Sequence, residues 1–187
     1  MRLNLGCGRD VKPGWINVDR EPAPDVVAFD LGRCRDLALP FSDETVDEIL
    51  ASHVIEHIVD TLPLMQELHR VARPDALMTI RVPYGSSDEA WEDPTHVRAY
   101  TLGSFGYFGQ PHYWRADYLY RGDWSVETIW LAISDEFKGE SAERIMGRVK
   151  RERNVVTEMV AQLRAVKPAR AADRALQTVP TVRLSFV

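Results

Sequence analysis

The stretch that decides the fold is Leu3-Asn4-Leu5-Gly6-Cys7-Gly8, an apolar run that breaks at once into a turn with two glycines. A turn directly after a strand lets a ligand approach the main chain only where no Cβ stands in the way, and Gly6 and Gly8 remove two of them. The N–H groups of such a turn can meet an anion. Working outward, Trp15-Ile16-Asn17-Val18 reads as a second short strand ending at Asp19, and Val26-Val27-Ala28-Phe29 as a third ending at Asp30. Each puts a polar residue at the C-terminal end of a strand, which is where open α/β sheets bind their ligands.

After the turn Leu39-Pro40-Phe41-Ser42-Asp43, a fourth strand is expected over 46–51. A helix is expected over 62–73, with Leu64, Leu68 and Val71 at three- and four-residue spacing. Arg73-Pro74-Asp75 stops it, and a fifth strand covers 76–83. Strands alternating with helical connections predict a Rossmann-like, doubly wound α/β fold, with a mainly parallel sheet and helices on both faces. Between Gly8 and Trp15 there is room for only a turn or two of helix, so the first crossover must be abbreviated. Further on, ten of the 17 aromatic residues fall between Asp88 and Trp124. A strand over 126–132 follows, then a long amphipathic helix over 141–166 whose apolar stripe is Ile145, Val149, Val156, Met159, Val160 and Leu163. Pro168 ends it, and 181–187 reads as a last, β-branched strand. The chain is expected to form one domain over 1–187: a ligand-binding half (1–83), a cover (84–124) and C-terminal strands with a long helix (125–187).

With 187 residues, 45% of them apolar and 27% charged, the chain has the composition of a globular protein with a sizeable core. That excludes a disordered or disulfide-stapled class. No apolar run is long enough to span a bilayer. The two cysteines, Cys7 and Cys34, and the lack of an apolar signal core predict free thiols in the cytoplasm. The net charge of −5 is uneven, since residues 138–174 hold ten Lys or Arg against five Asp or Glu. Acids interspersed among these bases, without interleaved aromatics, read as a solvated face, so no nucleic-acid partner is expected.

Four motifs in register, Leu3-Asn4-Leu5-Gly6-Cys7-Gly8, Leu39-Pro40-Phe41-Ser42-Asp43, Ser52-His53-Val54-Ile55-Glu56-His57 and Arg70-Val71-Ala72-Arg73-Pro74, make residues 2–83 resemble the class I S-adenosylmethionine-dependent methyltransferases, in particular small single-domain members of bacterial type. The resemblance implies S-adenosyl-L-methionine as cofactor, held by Gly6, Cys7, Gly8, Asp19, Arg20, Asp30, Leu31 and His53. In that reading Asp19 accepts from ribose hydroxyls, and Asp30 from the adenine amine with Leu31 packed on the ring. The chain departs from the family at Pro74-Asp75-Ala76, where a Pro-Gly-Gly turn is usual. Aspartate tolerates left-handed backbone better than most residues, so a slightly altered turn is expected. A nicotinamide or flavin dinucleotide is disfavoured: Val11 stands where that fingerprint needs a third glycine, and Asp19 comes too soon for its acidic residue.

The same stretch, His53-Val54-Ile55-Glu56-His57, also matches the zinc-peptidase pattern H-x-x-E-H. On a helix, His53 and His57 would share a metal with Glu56 as base. Its position after a strand at the ligand edge favours the methyltransferase reading, with no metal expected. Methyl transfer needs an aligned acceptor and, for a hydroxyl or amine, a base. His96 is the first choice for that base, in the company of Asp93 and Arg98, and His53 is the second. The aromatic stretch 88–124 is either a cover over a small-molecule acceptor or an extension of the core. A non-catalytic S-adenosylmethionine-binding partner subunit is the alternative function. The sequence assigns neither the acceptor nor an oligomeric state.

Overall fold

The computed structural model describes residues 1–187. Its strands are β1 (Arg2–Leu5), β2 (Ile16–Asp19), β3 (Val26–Ala28), β4 (Val46–Ser52), β5 (Ala72–Pro83), β6 (Trp124–Ile133), β7 (Val156–Ala165) and β8 (Thr181–Phe186), with helices α1 (Thr61–Val71), α2 (Glu89–Glu92) and α3 (Ala142–Val149). All eight strands join one sheet in the order β3-β2-β1-β4-β5-β7-β6-β8. The pairs among β1 to β5 are parallel, as is β6 with β8, while β7 runs antiparallel to both of its neighbours. The chain winds outward from β1 to β3, then returns to lay β4 on the other side of β1. The order therefore reverses between β1 and β4, and a crevice opens there at the strands' carboxyl ends.

The expected α/β sheet is present, but its helical covering is thinner than the sequence reading allowed. Turns alone connect β1 to β2 and β2 to β3. In place of a first crossover helix, two buried asparagines at paired positions, Asn4 and Asn17, pin the connection to the sheet. Asn4 Nδ2 donates to Asp10 O (2.8 Å) and to Asn17 Oδ1 (2.9 Å). Asn17 Oδ1 also accepts from the Lys12 amide, and its Nδ2 donates to the Lys12 and Trp15 carbonyls. Asn17→Ala strands several of these groups, and is expected to cost about 2–3 kcal/mol in urea unfolding. A loss below about 0.5 kcal/mol would show that solvent replaces the bonds without penalty.

The long C-terminal helix is a correction. Only α3 forms, with Ser141 Oγ accepting from the Arg144 amide at its N-terminus. The second half of the expected stripe is instead β7, a central strand between β5 and β6. Met159, Ala161, Leu163 and Ala165 are fully buried and alternate with partly exposed residues. Residues 156, 159, 160 and 163 fit a helical period, while the apolar residues 159, 161, 163 and 165 fit a strand period. The tie is broken by the β-branched run Val155-Val156-Thr157 and by the left-handed residue just before it, Asn154 at φ +58°. The altered turn lies within β5 and not before it: Asp75, at φ +63°, sits where the pairing with β4 shifts register between Ala72 and Leu77.

The aromatic stretch is mostly core. Tyr100, Phe105, Phe108, Tyr113, Tyr120 and Trp124 are buried, and Trp124 Nε1 donates to Met65 O of α1 at 3.1 Å. The stretch is anchored from behind by Asp123, which is fully buried. Its carboxylate accepts from Arg170 Nε (2.9 Å), Arg170 Nη2 (2.8 Å) and the amides of Arg170 and Gln110. No helix is long and apolar enough to cross a membrane.

Candidate active site

The first wall of the site is the turn after β1. Gly6 sits at φ +55°, and a Cβ there would lie 2.4 Å from Val54 Cγ2, so the loops after β1 and β4 touch because residue 6 is glycine. The turn is closed onto β2 by Cys7 N–H donating to Val18 O at 3.1 Å, and onto Asp19 by Gly8 N–H donating to Oδ2 at 2.8 Å. Asp19 Oδ1 accepts from the Glu21 amide at 3.0 Å. One carboxylate thus holds two loops in place while each oxygen keeps a further lone pair. At the end of β3, Asp30 Oδ1 accepts from the Gly32 amide at 2.9 Å, capping a short 3-10 turn that holds Leu31 inward.

These loops enclose a cleft of about 630 Å³, within the range of small-molecule sites. Gly6, Asp19, Arg20, Asp30, Leu31 and His53 line it, joined by Phe29, Val54, His57 and Thr95. Cys7 and Gly8 do not. The Cys7 side chain points into the core, where burial raises its thiol pKa, and the Gly8 N–H expected to meet an anion is already given to Asp19.

The motif at 53–57 does not form the helix that a zinc peptidase needs. His53 has φ +53°, and only Ile55–His57 turn, as one 3-10 loop. His53 faces β7 instead. Its Nε2 lies 2.9 Å from Glu158 Oε1, whose other oxygen accepts from Arg81 Nη2 at 2.6 Å, and its Nδ1 is 3.5 Å from Glu56 Oε1. The hydrogen bond to Glu158, with Glu56 adding to it, pushes the His53 pKa up to about 9. His53 is therefore a cation and a donor at neutral pH, which unsuits it as a base. Glu158 is correspondingly held below the usual carboxylate range, by His53 first and then Arg81.

His96 does not line the cleft. Its side chain is only 10% exposed, and its Nδ1 lies 3.2 Å from Ala90 O. Of the expected cover 84–124, Thr95 alone lines the cleft: most of its aromatic rings are buried in the core, and Trp91, Tyr107, Trp114 and Tyr118 are exposed outside the cleft lining. A helical reading of β7 hides Glu158, and with it the partner that draws Arg81 of β5 to His53; the period-2 alternation after residue 155 is the available signal.

The family pattern described as Methyltransferase domain matches residues 3–80. Residues 3–80 are thus similar to a methyltransferase domain. An uncharacterized methyltransferase of Mycobacterium avium (strain 104) is 38% identical over 74 residues, which cover 35% of this chain and 29% of that protein. The match thus spans less than a third of that relative's length. Among solved structures, a SAM-dependent methyltransferase from Archaeoglobus fulgidus aligns over 87% of this chain and 85% of its own, with TM-score 0.58 and 17% identity. One from Mesorhizobium loti covers 87% of this chain and 89% of its own, at TM-score 0.51 and 14% identity. At such identities these likenesses show the fold alone. In the matched region two of the four sequence motifs are tied to each other by one side chain. Arg70 donates to the carbonyls of Leu39 and Phe41 and to Asp43, and is clamped by Glu67. That cluster is architecture, built away from the cleft lining.

Proposed function

We propose that the protein binds S-adenosylmethionine in the cleft at the β1/β4 reversal and transfers its methyl group to a small-molecule hydroxyl or amine. The supporting observation is that six residues picked from sequence line one cleft although they come from separate loops: Gly6, Asp19, Arg20, Asp30, Leu31 and His53. The cofactor supplies the chemistry, an electrophilic methyl on a sulfonium. The chain's residues bind and orient. Asp19 receives the ribose hydroxyls on its remaining lone pairs, Asp30 the adenine amine, and Leu31 with Phe29 the apolar ring face. The open φ of Gly6 keeps the main chain accessible beside them. The acceptor enters past His53, His57 and Thr95. The free, buried thiols of Cys7 and Cys34 fit a cytoplasmic setting.

Calorimetry with S-adenosylhomocysteine tests this reading. Wild-type protein binds it, and Asp19→Ala loses about 1–3 kcal/mol of binding by leaving ligand hydroxyls unpaired. Undiminished affinity in Asp19→Ala removes that residue from the site. A second reading, cofactor binding without catalysis, is favoured by one observation: His53 is engaged by Glu158, and His96 does not line the cleft. Turnover with any acceptor decides against it.

A further inference from the structure

Glu56 is the one buried carboxylate of the protein whose oxygens have no hydrogen-bond partner. It is 1% exposed, and neither Oε1 nor Oε2 receives a bond. His53 Nδ1 lies 3.5 Å from Oε1, an ion pair too long for a good hydrogen bond, and Oε2 has nothing. A buried carboxylate left with a bare oxygen is costly unless a further cation completes it. The ligand atoms that Glu56, His57 and His96 can offer all lie within 4.8 Å of one another. We propose that Glu56, His57 and His96 bind a divalent transition-metal cation beside the cleft.

The donor set is one carboxylate oxygen and two imidazole nitrogens, which suits transition metals and zinc; magnesium and calcium prefer oxygen shells. The two rings meet edge-on, with centroids 4.7 Å apart. Both are held in the tautomer a metal requires. Thr95 Oγ1 gives its proton to Asp93 Oδ1 at 2.6 Å, so at 2.9 Å it accepts from His57 Nδ1–H. His96 Nδ1 faces the Ala90 carbonyl, which can only accept. Nε2 of each ring is left with its lone pair, and the outer partners are those that typically orient metal-bound histidines. Asp93 Oδ2, at 3.9 Å from His96 Nε2, adds negative charge alongside. The two segments are locked together by Val97 N–H donating to Glu56 O at 2.8 Å. His57 and Thr95 also line the cleft, so an ion is reached from the acceptor side. This set replaces His53 with His96 as partner of His57, makes Glu56 a ligand where the sequence reading had it as base, and reverses the expectation of no metal. It does not depend on the cofactor reading.

Protein stripped with chelator is titrated with cobalt(II) and followed by visible absorption and calorimetry. One equivalent binds, produces the d–d bands of a nitrogen-ligated site and is displaced by zinc. His96→Ala weakens binding on the order of 100-fold or more, and Thr95→Val, which removes only the outer partner of His57, by about 10–100-fold. His112→Gln, a histidine outside the cluster, leaves it unchanged. Thermal melts by circular dichroism confirm that each variant is folded, and Thr95→Val carries the test if His96→Ala is not. No cobalt binding by the wild type, or wild-type affinity in both His96→Ala and Thr95→Val, overturns the proposal. Cobalt binding without S-adenosylhomocysteine binding sinks the methyl-transfer reading and leaves this one standing.

Discussion

Asp123→Ala is expected to cost about 3–5 kcal/mol of stability, the range for breaking a buried ion pair from one side. The carboxylate is 0% exposed and accepts four hydrogen bonds, three from Arg170 and one from the Gln110 amide. Its loss leaves a guanidinium that is only 21% exposed without its partner, and two amides unpaired. It also frees the segment after β7 from the aromatic core, because Asp123 is the residue both hold. The double variant Asp123→Ala/Arg170→Ala removes the orphaned charge and should recover part of the loss. Urea unfolding of the single and double variants measures both quantities. If Asp123→Ala costs under about 1 kcal/mol, the pair is no anchor.

The second large effect falls on the ligand. Gly6→Ala should lower S-adenosylhomocysteine affinity on the order of 100-fold, with a stability loss of about 2–4 kcal/mol. Two causes add up. An alanine at φ +55° is strained by itself, and its Cβ would lie 2.4 Å from the Cγ2 of Val54, a stiff β-branched side chain in the core. Either the turn or the loop after β4 must move, and both are cleft walls. Adding Val54→Ala relieves the collision but not the backbone strain, so the double variant should bind more tightly than Gly6→Ala alone. Gly8→Ala meets no atom within 4 Å and carries the backbone cost only, about 1–2 kcal/mol. Equal effects at Gly6 and Gly8 would show that contact with Val54 is irrelevant.

The cofactor half was legible because its signals are local. An apolar run that stops at Gly6, and two more that stop at Asp19 and Asp30, each fix a strand and the residue at its end. The rest depended on partners distant in sequence. β7 carries apolar residues at positions that serve either period, and only its place between β5 and β6 decides the matter. The aromatic stretch 88–124 announces burial but not which surface it covers. His53-Val54-Ile55-Glu56-His57 looks like a helix on paper, yet the left-handed backbone at His53 turns that ring toward Glu158 and leaves Glu56 to face His57 and His96. The Asn4–Asn17 pair was written in the strands themselves, as a polar residue at the centre of each. Nothing short of the strand register says that the two are opposite one another.

The missing helix between β1 and β2 changes the source of the field at the ligand. In many doubly wound proteins an aligned stack of peptide dipoles points its positive end at the bound anion, a contribution fixed by the backbone. Here the connection is a turn pinned by asparagines, and its Gly8 amide is committed to Asp19. Positive charge along the cleft is left to individually replaceable side chains: the Arg20 and Arg33 guanidiniums and the His53 imidazolium. The anionic end of a ligand placed there would meet side-chain chemistry that substitution can tune one residue at a time, on a scaffold whose backbone contributes shape more than charge.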